Sequence, residues 1–472
     1  MKASGGTSAG VERVTDISGD RAGLLAAAEA MVAAWEARFG AYEPHPAMVP
    51  DPARLSQAWT AFEARMADHY PFFHPRYAGQ MLKPPSRVAA AGYLAAMLIN
   101  PNNHALDGGP GTSGLEVEVV EALAAMFGLE APFLGHLTSS GTIANLEALW
   151  VARELHPGRR IVFGEGAHYT HARMCGLLGV PGTKVPATPE GRIDLEAVET
   201  ECRRGDVGTV VLTLGSTGVG AVDRVDQALA LRERYGVRLH IDGAYGGFFR
   251  LLAAAREPLV DPAPFEAVAS CDSIVVDPHK HGLQPYGCGA VLFADPAVGR
   301  IYKHESPYTY FTSDELHLGE ISLECSRAGA AAAALWLTLQ VFPLASDDGL
   351  GAILAGGRRA ARRWAELLRR SDLLTLHLEP ELDIVTFFAS GETLSQVDAR
   401  SAAILNAGMS DSDEPTFLSV LNVERSVLAA LHPELKGDAD AARVLRSVLM
   451  KPEHEQTVDE LHEGVESLAA RC

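Results

Sequence analysis

The chain has 472 residues, 47% of them apolar and 21% charged, the balance of a folded globular protein rather than a disordered one. Acidic residues outnumber basic ones by 60 to 40, a formal charge of −20, which argues against nucleic acid or an anionic membrane surface as the main partner. The length allows about three domains.

The first twenty or so residues are rich in Gly, Ser and Asp and read as a mobile start. A helical pattern follows from about Arg21 to Tyr42, broken by Pro44, Pro46, Pro50 and Pro52. A second helix is predicted over Leu55–Tyr70, before a proline-punctuated stretch to Pro85. We read residues 1–87 as an N-terminal helical segment, 88–345 as a large cofactor-binding domain and 346–472 as a small C-terminal α+β domain.

In the central part, short β-branched runs alternate with amphipathic ones. Strands are predicted at Ile161–Gly164, Thr209–Leu214, Val237–Ile241, Ser273–Val276 and Ala290–Phe293. Helices are predicted at Leu115–Phe127, Thr142–Glu154, His171–Leu178, Leu195–Cys202 and Val225–Tyr235. The fold class is therefore α/β, a mostly parallel sheet with helices on both faces. The C-terminal part reads as helix Gly351–Arg370, strand Ile384–Phe388, helix Leu394–Ala407, strand Thr416–Asn422 and a last helix near Thr457–Ala470. The longest apolar stretches, Val88–Ile99 and Ala328–Phe342, fall short of the ~20 residues of a membrane-spanning helix. Six scattered cysteines form no CxxC pair, so free thiols in a reducing, cytoplasmic compartment are expected. His168/His171 and His279/His281 have no carboxylate or cysteine at ligand spacing, and no metal is expected.

In such sheets ligands sit beyond the carboxyl ends of the strands, so polar residues just after each run are the candidates. GPGTSG at 109–114 fits GxGxxG literally, but a polar loop precedes it where a dinucleotide fingerprint needs a strand. LTSSGTIAN at 137–145 places small and hydroxyl residues before a helix, a phosphate cup or an ordinary cap. LHIDGAYGG ends a strand at Asp242, and SIVVDPHKHG puts Lys280 a few residues past another. Burial and flanking cations would depress that lysine's pKa and free its amine. His168 and Thr217 each follow a strand as well. A cup for phosphate, a carboxylate for a pyridine nitrogen and an amine for an aldehyde are together what pyridoxal 5'-phosphate needs.

These motifs resemble, in order, those of the group II pyridoxal-phosphate-dependent amino-acid decarboxylases, which have the aspartate-aminotransferase fold (fold type I). The family includes tyrosine, aspartate, glutamate and aromatic-amino-acid decarboxylases. DPHK resembles its HK motif, which implies that Lys280 is the Schiff-base lysine, with His279 beside it. IDGAYGG resembles its DAAYGG, implying Asp242 as partner of the ring nitrogen and Ala244 beneath the ring; Gly243 replaces the usual first alanine. EGAHYTHARM resembles the segment whose histidine stacks on the other ring face, here His168. LGSTGVGAVD places Thr217 near the cofactor, and SSGTIAN carries over Ser140, Gly141 and Thr142 as the phosphate turn. HKHGLQPYG and CSRAGAA are closer to archaeal tyrosine/aspartate decarboxylases and also resemble sphingosine-phosphate lyases, which cleave a C–C bond.

The resemblance implies release of CO2 from an L-amino acid, a homodimer with the active site near the subunit interface, and a loop at 303–320 supplying Tyr308 or Tyr310 as the acid. A C–C lyase and an oxidative, aldehyde-forming relative are the alternatives, as is cofactor binding without turnover. His104, Asn103 and Arg327, with Asn102 and Lys83, are candidates for meeting the substrate, whose side chain the sequence leaves open between acidic, aromatic and other.

Overall fold

A computed structural model describes residues 17–303 and 317–472. The first sixteen residues, expected to be mobile, and Tyr308 and Tyr310 lie outside the described residues.

The predicted α/β class is what the structure has. Seven strands form one sheet: β1 (Leu134–Thr138), β2 (Arg160–Gly164), β3 (Gly182–Val185), β4 (Val207–Thr213), β5 (Arg238–Asp242), β6 (Ser273–Val276) and β7 (Gly289–Phe293). Their spatial order is β1-β7-β6-β5-β4-β2-β3. β3, β2, β4, β5 and β6 pair in parallel, and β7 runs antiparallel between β6 and β1. β1 therefore points the same way as the parallel strands. β4 (VGTVVLT) is buried along its whole length, as a central strand covered on both faces must be.

Among the described residues, the helices of eight or more residues that precede or interleave with these strands are α1 (Arg21–Ala37), α2 (Pro52–Met66), α3 (Arg87–Ile99), α4 (Pro110–Phe127), α5 (Gly141–Leu155), α6 (Thr170–Leu178), α7 (Leu195–Cys202) and α8 (Val225–Tyr235). Side-chain caps set several starts; Asp194 accepts from the amides of Glu196 and Ala197 at the head of α7. GPGTSG forms the N-cap and first turn of α4, with Pro110 at the first helical position, and takes no part in a strand-to-helix phosphate loop.

A second, antiparallel sheet has the order β10-β11-β9-β8, built from β8 (Leu374–Leu378), β9 (Ile384–Ala389), β10 (Ser419–Glu424) and β11 (Ala441–Val448). Its inner face packs on the helices Gly349–Leu368 and His454–Arg471 through Trp364, Phe387, Leu445 and Val465. The main core lies around the parallel strands, where Leu212, Leu239, Ile241 and Phe248 are fully enclosed. Among the described residues no helix is long and apolar enough to cross a membrane.

Candidate active site

The parallel strands end on the same edge of the large sheet, and β1, β2, β4, β5 and β6 each deliver polar residues there. After β1 the chain turns through Ser140, which caps α5 by accepting from the Ile143 amide at 3.3 Å. The first-turn amides of α5 have no helical partner, and the helix dipole favours an anion beside them. Asn145 anchors this turn from below. Its Nδ2 donates to the Gly141 carbonyl at 2.8 Å, and its Oδ1 lies 2.8 Å from His240 Nε2. His240 Nδ1 in turn lies 2.8 Å from Ser273 Oγ. Burial pushes the His240 pKa down to about 3, so the ring is neutral. Its Nε2–H donates to Asn145, and its Nδ1 accepts from Ser273.

Asp242 closes β5. Its Oδ2 accepts from His171 Nε2 at 2.8 Å and its Oδ1 from the Ala244 amide at 3.2 Å. Burial alone would raise its pKa, but the His171 hydrogen bond and the Lys280 charge outweigh it, and the carboxyl stays well below the usual range. Lys280 follows β6, and its Nζ lies 2.9 Å from Asp277 Oδ2. Here the expectation of a depressed lysine pKa is corrected. Burial does act downward, but the carboxylates of Asp277 and then Asp242 overcome it, and the pKa is raised. His279 donates from Nδ1 to the Cys288 carbonyl at 2.7 Å, which fixes its tautomer and leaves Nε2 facing Asp277 at 3.5 Å. His168, after β2, has Nδ1 2.9 Å from Thr170 Oγ1, and burial lowers its pKa.

All nine residues expected around the cofactor, Ser140, Gly141, Thr142, His168, Thr217, Asp242, Ala244, His279 and Lys280, line one cleft of about 170 Å³. Asn145, Tyr245 and Asp277 line it too and carry no role in the sequence reading. Asp277 lay in the DPHK motif itself. His171, beneath Asp242, was signalled only by its place three residues after His168.

The residues expected to meet substrate are not brought to this cleft. The Arg327 side chain is largely covered, with Nη1 2.7 Å from Glu116 Oε1 and 2.7 Å from the Leu137 carbonyl. Asn103 is buried on the same carboxylate, Nδ2 to Glu116 Oε2 at 2.7 Å. Asn102 Oδ1 accepts from the amides of His104 and Arg327, so the 101–104 turn is stitched to the 325–329 segment. His104 also accepts at its carbonyl from the Gly319 amide at 2.9 Å. Lys83 is half-buried, donates to the Met450 carbonyl at 3.2 Å, and is pushed down to about 8 by desolvation. The reading of Arg327 and Asn103 as substrate-binding groups therefore gives way to one in which they neutralise and saturate a buried glutamate.

An anion cup, a carboxylate held ionised, a lysine amine and a histidine facing one cleft match the donor set of pyridoxal phosphate, and a fold of this topology is that of fold type I enzymes. Residues 69–390 match the family described as "Pyridoxal-dependent decarboxylase conserved domain". The chain belongs to that family, and its cofactor is pyridoxal phosphate. It is similar to an L-tyrosine decarboxylase of Enterococcus faecium, 29% identical over 392 residues, covering 62% of this chain and 64% of the relative. It is also similar to an L-aspartate/L-glutamate decarboxylase of Pyrococcus horikoshii, 28% identical over 298 residues, covering 62% of this chain and 74% of the relative. The crystal structure of mouse CSAD superposes with a TM-score of 0.75 at 20% identity, covering 89% of this chain and 92% of that one, a likeness of fold.

Proposed function

We propose that the protein removes the α-carboxylate of an L-amino acid as CO2 and releases the amine. The observation that carries this reading is the convergence of Ser140–Thr142, His168, Thr217, Asp242 and Lys280 on one cleft. When bound, the cofactor supplies an electron sink for the pair left on Cα as the carboxylate departs. The first-turn amides of α5 and the Ser140 and Thr142 hydroxyls would hold its phosphate. Asp242, kept ionised, would hold a proton on the ring nitrogen, the state in which the ring best accepts an electron pair. Lys280 would hold the aldehyde through Nζ, which in this structure lies 2.9 Å from Asp277 Oδ2. His168 and Ala244, which line the same cleft, would lie against the cofactor and help hold it. Tyr308 and Tyr310 remain our candidates for the proton returned to Cα.

The decisive experiment incubates the cofactor-loaded protein with aspartate, glutamate, 2,4-diaminobutyrate, tyrosine, phenylalanine, tryptophan and cysteine sulfinate. CO2, amine, aldehyde and peroxide are followed together. Stoichiometric CO2 and amine are expected from at least one side-chain class. Aldehyde and peroxide would assign the oxidative reaction instead. Failure of every substrate to yield CO2, with C–C cleavage of a phosphorylated amino alcohol, would replace the decarboxylase reading by the lyase one.

We also propose a homodimer. No residue of α2 is buried, and Trp35 on α1, Phe39 just past its end, and Trp59, Phe62 and Met66 on α2 lie exposed, an apolar surface that a second copy would cover. Sedimentation should give twice the chain mass, and Trp59→Glu with Phe62→Glu should shift it toward the single chain.

A further inference from the structure

His171 lies beneath the cleft rather than in it, at the second position of α6, and is completely enclosed. A buried histidine ordinarily finds partners for both ring nitrogens. Here Nε2 is 2.8 Å from Asp242 Oδ2, whereas Nδ1 is buried without a partner. Its ring neighbours are Phe163, 6.1 Å away between centroids, and His240 at 6.5 Å. An orphaned ring nitrogen costs free energy, so the fold retains this imidazole for the one bond it does make, a hydrogen bond to an ionised acceptor. That bond and the Ala244 amide, at 3.2 Å from Oδ1, hold the two oxygens from two sides and fix the plane of the carboxylate.

We propose that His171 is a positioning residue for the cofactor: its Nε2–H holds the Asp242 carboxylate in the orientation and charge state in which it meets the ring nitrogen. This rests on the reading of Asp242 as the ring-nitrogen partner. The charged and titratable groups that act on Asp242 are His171 from α6, His240 from β5, His168 from the loop after β2, and Lys280 from the turn after β6, with Asp277 paired to that lysine. All but the first are unchanged in a His171 variant, so a difference between profiles reports on His171 alone.

The test measures the dissociation constant of pyridoxal phosphate, and the visible spectrum of the bound cofactor, from about pH 8 to about pH 6 in the full-length protein. His171→Met fills the space without a donor. Its dissociation constant should rise about tenfold, the worth of one charge-assisted hydrogen bond. The rise should steepen as the pH falls, because an unassisted buried carboxyl takes up a proton sooner. His171→Gln keeps an N–H near the Nε2 position and should restore a flat profile close to that of the unaltered protein. If His171→Met does not fold, His171→Asn, whose amide is too short to reach Oδ2, takes its place with the same expectation. A flat, unaltered profile in the donor-less variant overturns the proposal. So does a loss in His171→Gln equal to that in His171→Met, since the residue would then act by packing. Asp242→Asn separates the two layers. If it binds the cofactor as the unaltered protein does, the reading of Asp242 fails; if it binds poorly while His171→Met is normal, only the role of His171 fails.

Discussion

Arg327 illustrates how a cation near an active site can belong to the scaffold. It is the counter-charge of Glu116, whose other oxygen is taken by Asn103 and which also accepts from the Leu137 amide at 3.0 Å, the residue before the strand end that leads into the cup. Removing one partner of such a pair leaves an uncompensated buried charge, at a cost of about 3–5 kcal/mol. Arg327→Met should lower the unfolding free energy from denaturant titration by that amount, while substrate KM in the surviving folded enzyme moves little. A large KM effect with unchanged stability would return Arg327 to substrate binding. Lys280 is open to an equally direct check. Borohydride treatment of the loaded protein should add the cofactor's mass to the peptide that carries Lys280, and Lys280→Ala should abolish that addition. Labelling of another lysine would displace the assignment.

The cup owes its shape to a strand from the other direction. β7 runs antiparallel beside β1, and a Cβ added at Gly289 would stand 2.6 Å from the Ser140 carbonyl carbon and 2.7 Å from Thr138 Oγ1. Gly289→Ala should therefore displace the Ser140–Gly141 peptide. We expect a loss of cofactor affinity of at least about tenfold, with an overpacking cost of about 1–3 kcal/mol in stability. Unchanged affinity would mean that the cup yields without consequence. The strands carrying Lys280, Asp242 and the Thr217 turn were legible because buried parallel strands are β-branched runs, and a parallel sheet puts their ends on one edge. β1 was missed because Gly135 and His136 interrupt it, and β3 because it is a short edge strand, GTKV. β11 (AARVLRSV) reads like a helix, yet its Arg446 turns inward to the Gly218 carbonyl at 2.9 Å and to Ser419. Partnerships across long separations were beyond reach of motif reading. Arg327 and Glu116 stand 211 positions apart, and His171 and Asp242 stand 71 apart.

The two sheets meet directly under the cofactor cleft, through a carboxyl group rather than through apolar contact alone. Asp383, just before β9, accepts from the Tyr245 hydroxyl at 2.6 Å, and its other oxygen lies 3.4 Å from His281 Nε2. Tyr245 lines the cleft, and His281 is the neighbour of Lys280, so this contact couples the antiparallel sheet to the site. Burial pushes the Asp383 pKa up to about 6 from its ordinary value near 3.8, in spite of the Tyr245 hydrogen bond and the nearby Lys83 and Arg358 charges. Between about pH 4 and 6 the folded protein thus retains a proton that the unfolded chain has released. By linkage, this contribution to stability is present below about pH 4 and is lost as the pH rises through about 6, a change of about 3 kcal/mol. His240, pushed down to about 3, and His281, held well below its usual value, act in the opposite sense, since the unfolded chain binds protons there that the folded one excludes. The raw pH profile is therefore a sum of opposing slopes, and the informative quantity is a difference. Asp383→Asn cannot titrate, but its amide oxygen can still accept from Tyr245. Its stability relative to the unaltered protein, from urea unfolding, should rise as the pH is taken from about 4 to about 7, and should level off above that. A difference curve that is flat across this window would show that Asp383 is ionised throughout and that the two sheets are joined by a fixed charge rather than by a proton-bearing carboxyl.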